Sequence, residues 1–207
     1  PTKVTVSPQI VTADRDTSEP ELFRRAEREL HDEDYASAKR DFELLLKADA
    51  SQAILPTVLF DLGTTYEALR DPAAAAGAYH ALASKFPALA SSKVALGRCV
   101  WIHAYLEEWK PLGETGEALL ARADIDPLDR MAGLGARGLS RAELGDPDGA
   151  LPDIEKGIDI LEDYKFGETG KMPSAGAELK FALAESRRIA TERIALQHEE
   201  RPGSSPR

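Results

Sequence analysis

Leu59-Phe60-Asp61-Leu62-Gly63-Thr64-Thr65-Tyr66, then the break Leu69-Arg70-Asp71-Pro72, then Ala73-Ala74-Ala75-Ala76-Gly77-Ala78-Tyr79 is the stretch that decides the fold. Apolar residues spaced by three and four on each side of the break fit amphipathic helices, not strands. Asp71 followed by Pro72 reads as an N-cap with proline at the first helical position, where its missing N–H costs nothing. The stretch therefore predicts two helices joined by a short turn.

Working outward, the same turn returns as Leu144-Gly145-Asp146-Pro147-Asp148-Gly149-Ala150, 75 residues after its first appearance, or two steps of about 37. Stepping by that period from Ala75 gives Ala38, Leu112 and Ala150 as one series of sites. The matching sites one helix earlier are Ala26, Gly63, Val100 and Gly138. Small residues recur there for a steric reason: helix axes approach to about 8 Å only where the crossing side chains are tiny. Larger residues fill the flanks. Leu22, Leu59, Leu96 and Leu134 lie four before the first site, and Phe42, Tyr79 and Ile154 four after the second, with Gly116 as the exception.

At these residues the chain resembles the tetratricopeptide repeat (TPR) family, whose unit is a helix–turn–helix of about 34 residues. Leu59, Leu62-Gly63, Tyr66, Ala75, Tyr79, Leu82 and Pro87 fall on the family's positions in order. The first unit has Glu29 where tyrosine is usual, and the third departs most, with Val100 and Leu112 at its small sites and Gly113 and Gly116 in its expected second helix. The resemblance covers residues 19 to about 164. It implies an all-α, right-handed superhelical solenoid of about four antiparallel hairpins, at 19–55, 56–92, 93–130 and 131–164. Helices are expected near 19–31, 35–48, 54–69, 73–85, 91–107, 109–122, 128–144 and 148–163. A loop at 165–174 would lead to a capping helix at 175–199 that covers the last unit's apolar side, followed by a tail at 200–207.

Composition agrees. The 207 residues include 32 Ala and only 6% aromatics, which favours closely packed helices over a β-sandwich. A net charge of −10 opposes a polyanion, so nucleic acid is not an expected partner. No apolar run reaches the length needed to span a bilayer. Residues 1–18, with Val4-Thr5-Val6 and Ile10-Val11-Thr12 between Pro8 and charged residues, read as an extended arm, either a tether from a membrane anchor or a linker between domains.

Catalytic chemistry finds little support. Cys99 and His103 share a helix face, but a metal site needs another ligand, and His31, His80 and His198 lie in other units without a metal-binding spacing. The pair reads as a buried thiol with a semi-exposed imidazole at a helix interface, with no metal, cofactor or catalytic group expected. Gly113-Glu114-Thr115-Gly116 and Gly167-Glu168-Thr169-Gly170 lack the lysine and strand of a phosphate-binding loop.

The resemblance implies a concave surface, and its lining positions fall on Phe23, Glu27, Phe60, Thr64, Glu67, Trp101, Tyr105 and Leu139. These would seat a protein or peptide ligand, or else pack internally beneath the chain's own termini. The expected role is a non-enzymatic scaffold or adaptor, in a bacterial cell-envelope assembly for secretion, a pilus or motility. The alternatives are an accessory segment of a larger cytosolic protein and, last, an all-helical enzyme.

Overall fold

The computed structural model describes residues 17–163 and 172–199, and among these every regular element is an α-helix. Four hairpins follow in order: α1 (Glu19–His31) with α2 (Tyr35–Lys47), α3 (Leu55–Ala68) with α4 (Pro72–Lys85), α5 (Ala90–Tyr105) with α6 (Trp109–Leu120), and α7 (Pro127–Glu143) with α8 (Pro147–Asp163). A ninth helix, α9 (Ser174–Glu199), packs on α7 and α8. Each helix touches its successor, and α1, α3, α5 and α7 also touch one another in sequence. Among the described residues no such contacts link α2, α4, α6 and α8, so the odd helices form the compressed, inner side of a curved stack. The expected arm at 1–18 up to Asp16, most of the loop at 165–174 and the tail at 200–207 lie outside the described residues.

Local chemistry sets the helix starts. Ser18 and Glu21 form a reciprocal capping box at α1, and Asp126 with Asp129 forms another at α7. Asp34 and Asp71 accept hydrogen bonds from the backbone N–H groups of Ser37 and Ala74, and Asp146 does so from Gly149. At the tight turns Glu33, Arg70 and Glu107 adopt positive φ, and Gly145 takes the same place in the fourth hairpin. These four positions repeat at intervals of 37, 37 and 38 residues, so the left-handed turn residue belongs to the unit itself, and three of the four accept its strain without glycine.

The small sites form the seam of each hairpin. Ala38, Ala75, Leu112 and Ala150 are fully buried, and so is Ala26. A Cβ on Gly63 would lie 2.4 Å from the Tyr79 ring, and one on Gly138 would lie 2.5 Å from Ile154. Backbone notch and bulky knob thus meet directly in the second and fourth hairpins. The third differs: its knob position is Gly116, whose Cβ would instead meet the Gly133 carbonyl oxygen at 2.8 Å. There the close approach has moved to the junction between α6 and α7.

Two hairpins carry a second seam. The buried carboxylate of Asp41 accepts from Arg25 and from Arg40, the latter at 3.0 Å. In the fourth hairpin Asp153 accepts from Arg137 at 2.7 and 2.6 Å and from Arg141 at 3.0 Å. Arg25 and Arg137 immediately precede the small sites at 26 and 138, so the outer units share an ion pair whose equivalent positions in the middle units hold Leu62 and Ala78, then Cys99 and Thr115. A buried carboxylate needs such partners, because an unpaired one would be costly to bury.

The seam predicts a contrast between two glycines. Gly63→Ala forces the Tyr79 ring aside and should cost about 1–3 kcal/mol. Gly77→Ala, where nothing lies within 4 Å, should raise stability by about 0.5–1 kcal/mol through helix propensity. Urea unfolding of the two variants followed by circular dichroism checks both signs.

Candidate functional site

The inner helices present a continuous surface. On α3, Phe60, Thr64 and Glu67 succeed one another along one face. Phe60 packs at a tilt against Tyr79 with ring centroids 5.7 Å apart, and the Thr64 hydroxyl donates to the Phe60 carbonyl at 3.2 Å. The Tyr79 hydroxyl donates to Glu67 at 2.8 Å, and Arg98 of α5 donates to the same carboxylate at 3.1 Å. Three and seven residues beyond Arg98 stand Trp101 and Tyr105, whose rings stack at 5.8 Å and 2°. Their exposures of 59% and 67% leave large aromatic surfaces in water. An adjacent pocket of about 180 Å³ is lined by Val100, Ala104, Leu139 and Phe181, with Glu107 and Glu178 at its polar edges.

The expected lining residues therefore divide. Trp101 and Tyr105 are open to solvent, Glu27 is exposed, and Phe60, Thr64 and Glu67 are half-buried with internal partners. Phe23 is half-buried against the first core cluster. Leu139 is only 7% exposed and joins the core cluster that includes Ala182 of α9, so it forms pocket floor rather than open groove. Its place was missed because the sequence signal for a small-residue crossing does not say how far α9 reaches over α7. Phe181, on α9 at the pocket, was missed for the same reason.

The surface is also acidic. Burial, reinforced by the Glu27 charge, pushes Asp61 from 3.8 up to about 6. Burial likewise raises Glu178. Glu27, Asp61 and Glu67 thus lie along the inner helices α1 and α3, Glu107 and Glu178 line the pocket, and Arg98 is a counter-charge bound to Glu67.

A second cluster lies between α4 and α5. The His80 and His103 imidazoles face each other with their Nε2 atoms 2.8 Å apart, and His103 Nδ1 lies 2.7 Å from Glu108 Oε2. Cys99 completes a group of three whose ligand atoms all lie within 4.8 Å of one another. Spacing along the chain left Cys99 and His103 without a third partner, and the packing of α4 on α5 supplies one. Cys99 is fully buried, and that burial pushes its thiol up to about 12, which makes it a poor free nucleophile. Burial first, then the facing His103, hold His80 below its ordinary value.

The raised Asp61 has a measurable consequence. In the unfolded chain it ionises near 3.8 and in the fold near 6, so between these values the folded state holds the extra proton and stability falls as pH rises. The deficit is complete above about pH 6. Asp61→Asn should therefore stabilise the protein above that pH, on the order of 1 kcal/mol after allowance for partial solvation, and the gain should vanish below about pH 4. Thermal unfolding at the two pH extremes reads the difference.

No known family profile matches the chain, and no curated protein sequence does. Among solved structures the chain is similar to a crystal structure of a Podosopora anserina protein, designated a kinesin light chain and described as having nearly identical TPR-like repeats. The TM-score is 0.56 over 86% of this chain and 89% of that one, at 13% sequence identity. Consecutive antiparallel hairpins, small-residue seams and this likeness together establish a TPR-like helical-repeat solenoid.

Proposed function

We propose that the protein is a non-enzymatic binding module whose concave face takes a basic peptide segment anchored by an apolar or aromatic side chain. The stacked, solvent-exposed pair Trp101 and Tyr105 beside the Leu139–Phe181 pocket carries this reading. Large aromatics that remain exposed in a folded chain lose free energy to water until a partner covers them, and such residues dominate interface energetics. The carboxylates of the pocket and of the neighbouring inner helices select the sign of the partner's charge, because a cationic segment is steered toward an acidic surface. Acidic tails are disfavoured on the same ground.

The scaffold role rests on the same surface. An α-solenoid offers a long inner face whose units vary independently, which suits recognition of an extended segment. The envelope setting suggested by the Val- and Thr-rich arm rests on residues 1–16, outside the described structure, and stands as part of the proposal.

Selection of a random-peptide library on the full chain tests the reading. Enriched peptides should carry Lys or Arg beside Leu, Phe or Trp, and their binding should weaken as salt is raised. Trp101→Ala should reduce their affinity about tenfold or more while leaving the unfolding midpoint nearly unchanged, because most of the ring is already in water. Enrichment of acidic peptides, or binding indifferent to Trp101, would overturn it. Fluorescence anisotropy with labelled peptides gives the affinities.

A further inference from the structure

We propose that His80, Cys99 and His103 form a transition-metal site of the zinc class at the junction of the second and third hairpins. The donor set is two imidazoles and one thiol, the combination that borderline and soft divalent metals prefer over oxygen-seeking Mg²⁺ or Ca²⁺. Their donor atoms already converge within 4.8 Å. Bonds of about 2.0–2.3 Å in a tetrahedral site would place donors roughly 3.3–3.7 Å apart. The histidine nitrogens, now 2.8 Å apart, need to open by only about half an ångström.

Three further observations bear on the site. Glu108 Oε2 sits against Nδ1 of His103, so the carboxylate accepts that N–H and leaves Nε2 with its lone pair toward His80 and Cys99. Metal-binding histidines are commonly oriented by such a carboxylate. The Thr115 hydroxyl, buried on α6, lies 3.4 Å from His80 Nε2 and stands where it or a water can complete four-fold coordination. A surface pocket of about 450 Å³, lined by His80, Ser84, Leu96 and Arg122, gives an entering ion a route to the His80 edge.

The repeat makes the arrangement distinctive. One unit earlier the equivalent inter-unit contact is the Tyr66 hydroxyl donating to Glu43 at 2.8 Å, so a hydrogen bond alone satisfies this position. At the next junction both partners are imidazoles and a thiol has been added beside them. On binding, the Cys99 S–H bond breaks, a sulfur–metal bond forms, and the proton leaves to solvent; no electron is transferred.

The experiment uses the untagged full chain, stripped with a chelator and titrated with Co²⁺ and then Zn²⁺. One equivalent of Co²⁺ should give a thiolate-to-cobalt charge-transfer band and the visible bands of a tetrahedral site, and Zn²⁺ should displace them and raise the unfolding temperature. Cys99→Ser should abolish the charge-transfer band. His80→Gln, at a half-buried position, should weaken Zn²⁺ binding at least about tenfold, and Glu108→Gln about 10–100-fold. Should Cys99→Ser fail to fold, the His80 and Glu108 variants decide alone. Absence of the thiolate band in the unaltered chain, or Zn²⁺ affinity unchanged in His80→Gln and Glu108→Gln, would overturn the proposal and leave only a hydrogen-bonded histidine pair with surface adsorption of metal.

Discussion

Everything in this molecule depends on how closely two helices can approach within a hairpin. Where Gly63 meets Tyr79 and Gly138 meets Ile154, the absence of a side chain lets a large one fill the backbone notch, so close packing and apolar burial come from the same contact. That contact sets the hairpin angle, and the hairpin angle sets how the next unit docks. The third unit shows the constraint by obeying it differently. With Val100 in the notch and Gly116 in place of the knob, its second helix draws tight against α7 through Gly116 and Gly133, and the stack continues.

The ends and the middle of the solenoid solve a second problem in opposite ways. The outer units bury Asp41 and Asp153 against guanidinium groups that remain partly in water, so the charged heads keep some solvation while the carboxylates are fully partnered. The second and third units put Leu62 and Ala78, then Cys99 and Thr115, at the same places. Ionic groups are expensive to enclose completely, and the distribution follows that cost. Glu29 marks its local limit: burial and the nearby Asp41 charge raise its carboxyl, and one of its oxygens finds no hydrogen-bond partner.

Much of this was legible in the sequence because it is periodic. The step of about 37 between Ala26, Gly63, Val100 and Gly138 marks the crossing points, and the Asp-Pro turns mark the starts of α4 and α8. Periodicity says nothing of what one unit's outer helix meets on the next unit's inner helix. His80 and His103 are 23 residues apart, a separation without meaning inside one helix, and only the docking of α5 on α4 gives it one. The raised carboxyl of Asp61 was illegible for a related reason. Its shift comes from burial and from Glu27 on another helix, neither of which a single-helix pattern reveals. Leu139 and Phe181 turned on α9, whose docking depth has no periodic signature.

A repeat also separates fold from chemistry. Glu43 and Tyr66 at one junction, and His80 and His103 at the next, occupy equivalent slots 37 residues apart and each make one hydrogen bond between units. Because the slot's geometry is fixed by the seams on either side, its residues can change without disturbing the stack. The same independence holds on the concave side, where Trp101 and Tyr105 stand on α5 while the corresponding part of α3 is tied to Tyr79 and Arg98. Function in such a chain is therefore sought where one unit departs from its neighbours. The third unit departs most at every level, in its small sites, its exposed aromatic pair and its buried histidine and thiol.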